Sequence, residues 1–206
     1  MAAKRPYHHG NLKSVLLDAA VALIAEVGPA AFTLREVARR AGISHNAPYR
    51  HFREKDELLA AVATEGFERL ADALGKARAR GPNPALRRFH ASGLAYIRFA
   101  LHSPEHLQVM FDWPLPIDRY PELSAAAQRA FSILVEYVEA AQQEASLPTG
   151  DSTELACTAW SLVHGIAKLG IAKNLPFKSE PEILRFAARA IDTLHHGMAP
   201  THYPHR

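Results

Sequence analysis

The segment Ser44-His45-Asn46-Ala47-Pro48-Tyr49-Arg50-His51 packs two imidazoles, a carboxamide, a phenol and a guanidinium into eight residues. All of these groups donate hydrogen bonds. On a helix that starts at Ser44, His45 and Asn46 fall on the first turn and Tyr49 one turn later, so the three share one side. An Asn placed there can present its amide to adenine in a bidentate contact. Charge points the same way: residues 1–55 hold nine Lys/Arg against four Asp/Glu, a balance of +5, while the remainder holds fifteen against seventeen. A polyanion partner suits the first segment alone, with a merely solvated basic face as the bland alternative.

Other chemistries find no support in the residue spacing. Cys157 and His164 are seven residues apart, about 10 Å of helical rise, which is too far for a nucleophile and its base. A lone Cys builds neither a disulfide framework nor a multi-thiolate metal site, and it suits a reducing cytoplasm. His102 and His106 are split by Ser103-Pro104, which starts a new helix and spoils one-face metal spacing. There is no phosphate-binding Gly loop and no G-x-S-x-G elbow. The chain reads as no enzyme, with no cofactor and no metal. Its N-terminus lacks the apolar core of a signal peptide, and no apolar run spans a membrane.

These residues must be positioned by helices. Asn11 can cap a first helix with Leu12, Leu16, Ala19, Leu23 and Val27 on one face, stopped by Gly28-Pro29. Thr33 and Glu36 have capping-box spacing ahead of a short second helix carrying Leu34, Val37, Ala38 and Ala41 and ending at Gly42. Ser44 is placed to cap a third helix reaching about His51, with Pro48 tolerated in its first turn and Phe52 returning to the core. A fourth helix runs from Lys55-Asp56 to about Arg78, and Gly81-Pro82-Asn83-Pro84 breaks it.

Five more helices follow. The fifth carries Leu86, Phe89, Gly93, Ile97 and Leu101. Ser103-Pro104-Glu105 opens the sixth, and a Pro-rich loop from Trp113 to Pro121 leads to the seventh, over about 122–145. Asp151 and Glu154 announce the eighth, and Ser179 with Glu182 the ninth. The expectation is an all-α chain of about nine helices. An N-terminal three-helix helix-turn-helix (homeodomain-like) domain over 1–55 precedes a helical bundle over 56–200 for ligand sensing and dimerisation, and 201–206 form a disordered tail.

The segment TLREVARRAGISHNAPYRHFREKDELLAAV, residues 33–62, closely resembles the DNA-binding domain of the TetR family of bacterial transcriptional repressors, through Gly42, Ser44, Tyr49, His51, Phe52 and Lys55. CTAWSLVHGIAKL, residues 157–169, resembles the Trp-x-x-x-His-Gly motif of one subgroup's C-terminal domain through Trp160, His164 and Gly165. SPEHLQVMF, residues 103–111, is similar to the short helix before that subgroup's ligand chamber. The resemblance implies that Arg35 reaches a guanine and Ala47 approaches the bases, perhaps through a thymine methyl. It also implies that Thr33, Tyr49, His51 and Lys55 contact phosphates, with Ser44 in the same DNA-facing set. Lys4 and Arg5 lie along phosphates or in the minor groove, or form a disordered basic end.

The implied function is a ligand-responsive regulator, a repressor, binding a palindromic operator in double-stranded DNA as a homodimer in the cytoplasm and released by a small organic effector. The alternative is a small-molecule-binding helical module without specific DNA binding. Phe89, Tyr96, Met110, Trp113, Phe131, Trp160 and His164 are the expected effector contacts, around the fifth to seventh helices with access by the Pro-rich loop. Leu155, Ala159, Leu162, Ile183, Phe186, Ala187, Ala190, Ile191 and Leu194, on the eighth and ninth helices, are the expected dimer interface.

Overall fold

The computed structural model describes residues 12–79 and 85–198, and among them no strand occurs. The helices are α1 (Leu12–Val27), α2 (Leu34–Arg40), α3 (Lys55–Ala79), α4 (Ala85–His102), α5 (Pro104–Phe111), α6 (Pro121–Gln143), α7 (Ser152–Ile171) and α8 (Glu180–Met198), with short 3-10 segments at Pro48–Arg50 and Ile117–Arg119. The expected cap Asn11, the basic pair Lys4 and Arg5, the Gly81–Pro84 break and the 201–206 tail lie outside the described residues. The chain divides into two compact units: residues 1–66 with 105–124, and residues 67–104 with 125–206.

In the first unit α1 buries Leu16, Ala19, Ala20, Leu23 and Ile24, and α2 buries Leu34, Val37 and Ala38. Gly28 ends α1 at φ +78° and Gly42 makes the next turn at φ +67°, both in the left-handed region that a Cβ disfavours. The capping box expected at Thr33 is formed. Glu36 N donates to Thr33 Oγ1 at 3.3 Å, and Thr33 N donates to Glu36 Oε2 at 2.8 Å.

The third helix differs from expectation, because the chain forms a turn and then the 3-10 segment Pro48–Arg50. In an α-helix from Ser44 the bond to the Ser44 carbonyl would come from the amide of residue 48, and proline has none. Ala47 N takes that carbonyl instead, at 3.0 Å, and the chain tightens into i→i+3 bonding. The single bond that Pro48 removes therefore changes the element in so short a segment. The N-cap of the 3-10 segment is Ala47 in place of the expected Ser44, while Phe52 is buried as expected.

Residues 105–124 join this unit. α5 buries His106, Leu107 and Val109. Gly66 leaves room for Met110, since a Cβ there would sit 2.6 Å from Met110 Sδ.

In the second unit α4 packs against α7 and α8, which also pack on each other. α4 buries Phe89, Ser92, Tyr96, Ile97, Phe99 and Ala100, and α7 buries Ala156, Ala159, Val163, Ile166 and Ala167. Gly93 stands where a Cβ would lie 3.0 Å from Ile191 Cδ1 and 3.3 Å from Val163 Cγ1, so its bare backbone permits the close approach of three helices. α7 starts at Asp151, whose carboxylate accepts from the amides of Thr153 at 2.7 Å and Glu154 at 3.3 Å. At the start of α8, Glu182 Oε2 accepts from Ser179 N and Ser179 Oγ, each at 3.0 Å, and from Lys178 N at 2.9 Å. These bonds hold the Glu182 carboxyl below its ordinary pKa.

Candidate nucleic-acid interface and effector cavity

Along the turn and 3-10 segment, Ser44, His45, Asn46, Tyr49, Arg50 and His51 are exposed, and Ala47 is half-buried. Pro48 is buried and anchors the turn from beneath. Tyr49 keeps 47% of its surface in solvent, high for so large a ring. Arg35 is exposed in the first turn of α2 and makes no ion pair among the described residues. Thr33 is also exposed, but its hydroxyl proton goes to Glu36 Oε2 at 3.0 Å. His51 lines a groove with Lys13, Arg119 and Tyr120, and Glu57 and Glu122 make the charge of that groove mixed.

Lys55 is placed differently from the purely phosphate-directed ammonium of the sequence reading. Its Nζ donates to Ala30 O at 2.9 Å and Phe32 O at 3.2 Å. The same ammonium lies 5.1 Å from the Phe32 ring centre and 5.3 Å from that of Trp113. Trp113 Nε1 in turn donates to Asp56 Oδ1 at 3.3 Å. Two of the three ammonium protons are thus spent tying the start of α3 to the loop before α2.

The second unit contains an apolar cavity of about 40 Å³, lined by Leu74, Phe89, Ser92, Gly93, Tyr96, Leu134, Ala159, Trp160, Leu162, Val163, Ile191 and Leu194. Of the expected effector contacts, Phe89, Tyr96 and Trp160 line it. Phe131 stacks edge-on against Trp160 with ring centres 6.1 Å apart. His164 stands behind the wall: Tyr96 OH lies 2.7 Å from its Nδ1, and the Trp160 ring centre lies 5.9 Å from its own. Burial pushes the Tyr96 phenol well above its ordinary pKa, only partly offset by a hydrogen bond with Trp160, so the hydroxyl keeps its proton in its hydrogen bond with Nδ1.

Met110 and Trp113 are not part of this cavity. Both lie in residues 105–124 of the first unit, where Met110 covers Gly66 and Trp113 covers Lys55. The chamber is built from α4, α6, α7 and α8 with Leu74 of α3, and not around the Pro-rich loop. Sequence reasoning missed Ser92, Leu134 and Val163. Gly93 carried a readable signal, since a glycine inside a helical pattern usually has a packing reason.

Four of the nine expected dimer residues are consumed by one chain's own core. Ala159 and Ile183 are 7% exposed, Ile191 is 5% and Ala187 is 0%. Leu155, Leu162, Phe186, Ala190 and Leu194 are half-buried, and Leu155 and Leu194 pack on the cluster around Phe89 and Val138. An apolar stripe identifies which face a helix buries without identifying against what. The outward face of α7 instead carries Glu154, Cys157, Thr158, Ser161 and a 45% exposed Leu169. Gly165 opens onto free space.

A capped helix pair and exposed donor-rich turn, followed in the chain by an all-helical bundle around an apolar cavity, define the class as a helix-turn-helix regulator. Comparison with known proteins narrows this. Residues 16–62 match bacterial regulatory proteins of the tetR family, and residues 89–194 match the tetracyclin repressor-like C-terminal domain. A solved Rhodococcus sp. RHA1 protein of unknown function is 34% identical, with 96% of this chain and 100% of that chain covered and a TM-score of 0.82. Bacillus subtilis FadR, solved with stearoyl-CoA, is 13% identical over 89% of this chain and 98% of its own, with a TM-score of 0.75, and shares the fold. An HTH-type transcriptional repressor of Mycobacterium tuberculosis is 41% identical over 59 residues, 29% of this chain. That match spans only 31% of the repressor's length. The chain belongs to the TetR family of bacterial regulatory proteins. Among the described residues no helix is long and apolar enough to cross a membrane.

Proposed function

We propose that this chain is a ligand-responsive transcriptional repressor that binds a palindromic operator as a homodimer and leaves it when a small organic effector fills the apolar cavity. The observation that carries the reading is the exposed turn His45–His51, where His45, Asn46 and Tyr49 face solvent above a buried Pro48. Asn46 addresses a base edge, Arg35 a guanine, and His51 and Tyr49 phosphates, with Ser44 and Ala47 beside them. The capped start of α2 at Thr33 joins this surface through its backbone more than its hydroxyl, which Glu36 already engages.

The effector is an uncharged or weakly polar organic molecule, because an apolar wall gives a buried charge no partner. At about 40 Å³ the cavity is far smaller than the 300–1,000 Å³ typical of ligand sites, so an effector enters by pushing its walls apart. Trp160, His164 and Gly165 support the reading of the C-terminal domain as the Trp-x-x-x-His-Gly type. A regulator of this kind acts on the chromosome and so works in the cytoplasm. By linkage, an effector that weakens operator binding is itself bound more weakly, by the same factor, when operator is present.

Selection of bound sequences from random DNA tests the reading. A recovered palindrome supports a dimeric operator binder. Uniform, sequence-independent retention would overturn it in favour of a small-molecule-binding module.

A further inference from the structure

The second unit carries a histidine cluster that neither the DNA-facing surface nor the cavity uses. His90 on α4 and His195 on α8 set their rings edge to face with centres 5.6 Å apart. Nε2 of His90 and Nδ1 of His195 are both buried, and neither has a hydrogen-bond partner among the described residues. Leaving one such nitrogen unsatisfied costs about 1–3 kcal/mol. Two of them on neighbouring rings of different helices call for a shared partner.

The surroundings suit a cation. His90 Nδ1 faces Asp192 Oδ1 at 3.3 Å, and a carboxylate there favours the proton on Nδ1 and leaves Nε2 as a lone pair, the usual arrangement behind a metal-ligating imidazole. His196 is turned elsewhere, its Nδ1 donating to Asp192 O at 2.6 Å.

We infer that His90 and His195 form a two-imidazole site for a borderline divalent transition-metal cation, with Asp192 orienting His90 and water completing the coordination shell. The spacing fits. With metal–nitrogen bonds of about 2.0–2.1 Å, two imidazoles have ring centres about 5 Å apart at a tetrahedral angle and about 6 Å apart when opposed. The observed separation lies between these limits. No group of three His, Cys, Asp or Glu side chains able to hold a metal occurs among the described residues, so affinity is modest and follows the intrinsic order, with Cu²⁺ ahead of Ni²⁺ and Zn²⁺. Phe89 and Leu194, the chain neighbours of the two ligands, both line the cavity. A metal bridging α4 to α8 therefore ties down two of the cavity walls.

The site is tested on the full chain with the metal alone. Cu²⁺ is titrated by calorimetry and by electron paramagnetic resonance into wild type, His90→Ala, His195→Ala and Asp192→Asn, with a His202→Ala/His205→Ala double variant to remove C-terminal donors. The expected result is one Cu²⁺ per chain with nitrogen hyperfine structure. That ion should survive in the double variant, weaken at least tenfold in either His90→Ala or His195→Ala, and weaken severalfold in Asp192→Asn. His195 lies near the end of α8 and is half-buried, so His195→Ala keeps the test valid if His90→Ala fails to fold. Ni²⁺ should also raise Tm in wild type and not in His195→Ala. A Cu²⁺ isotherm unchanged in His195→Ala, or lost in the double variant, would overturn the assignment. Operator binding without metal is unaffected on either outcome.

Discussion

Lys55 separates two roles that look alike in a binding assay. Its ammonium donates to Ala30 O and Phe32 O and lies over the rings of Phe32 and Trp113. Lys55→Ala removes two hydrogen bonds from a charged donor, nominally about 1.5–3 kcal/mol each, and two ring contacts worth about 0.5–1 kcal/mol at exposed sites. Lys55 is half-exposed, so water re-solvates the freed carbonyls and screening reduces the sum. The net loss is about 1–3 kcal/mol. For a chain of 150–250 residues each kcal/mol shifts Tm by about 2–4 °C, so the DNA-free variant should melt about 2–12 °C lower. Scanning calorimetry without DNA measures this. A salt titration of operator binding provides the contrast, because a lysine spent wholly on phosphate contributes about 0.9 to the slope. The structure leaves one proton for that purpose, so the slope should fall by clearly less than this. An unchanged Tm with a full-unit loss of slope would refute the latch and restore a purely phosphate-directed role.

Asn46→Ala should relax preference at a single operator position by about 1–3 kcal/mol, measured by competition between operator variants, and leave the salt slope unchanged. Gly93→Ala adds a Cβ at 3.0 Å from Ile191 Cδ1, but it also gains about 0.8–1.0 kcal/mol of helix propensity. Tm should therefore move little, while binding of the neutral probe N-phenyl-1-naphthylamine, followed by fluorescence, falls at least tenfold. Leu169→Glu, on an exposed face of α7, should yield folded monomers in sedimentation, whereas Ile191→Glu buries a charge and should unfold the bundle. The lowered Glu182 carboxyl contributes stability that is present above the ordinary carboxylate range and lost as pH falls through its folded value. Amide exchange at Lys178 and Ser179 should accelerate in acid at those positions first.

Local features were legible in the sequence where their cause is local. The capping box at Thr33 and Glu36, the Asp151 cap and the turn at Gly42 each depend on a few neighbouring residues, and the structure has all three. The segment after Gly42 was expected as an α-helix and is a turn with a 3-10 segment, because the effect of Pro48 on so short a stretch was underestimated. Features that depend on distant residues were not legible. Nothing near Trp113 indicates that it lies over Lys55, and nothing near His90 indicates His195. Met110 and Trp113 passed for cavity residues because size and polarity report burial without reporting neighbours.

The same limit bears on how a dimer can form. Helical periodicity on α8 marks Ile183, Ala187 and Ile191 as one face, and that face is occupied by α4 and α7 of the same chain. What α8 leaves fully outside is Arg185, Arg189, Asp192, Thr193 and His196, with Leu184, Phe186, Ala190 and Leu194 half-buried beside them, and two copies of Arg185 and Arg189 would repel unless each met an acid. α7 leaves outside small side chains at Cys157, Thr158 and Ser161, a glycine at 165 and the exposed Leu169. Close approach of two helices needs small residues in the seam and one or two larger apolar groups to bury. We propose that α7 supplies the main contact of the homodimer, with α8 at its margin. The helix that forms the contact is then also the helix that carries Trp160, Leu162 and Val163 into the cavity, so filling the cavity and shifting the dimer seam act on one rigid element.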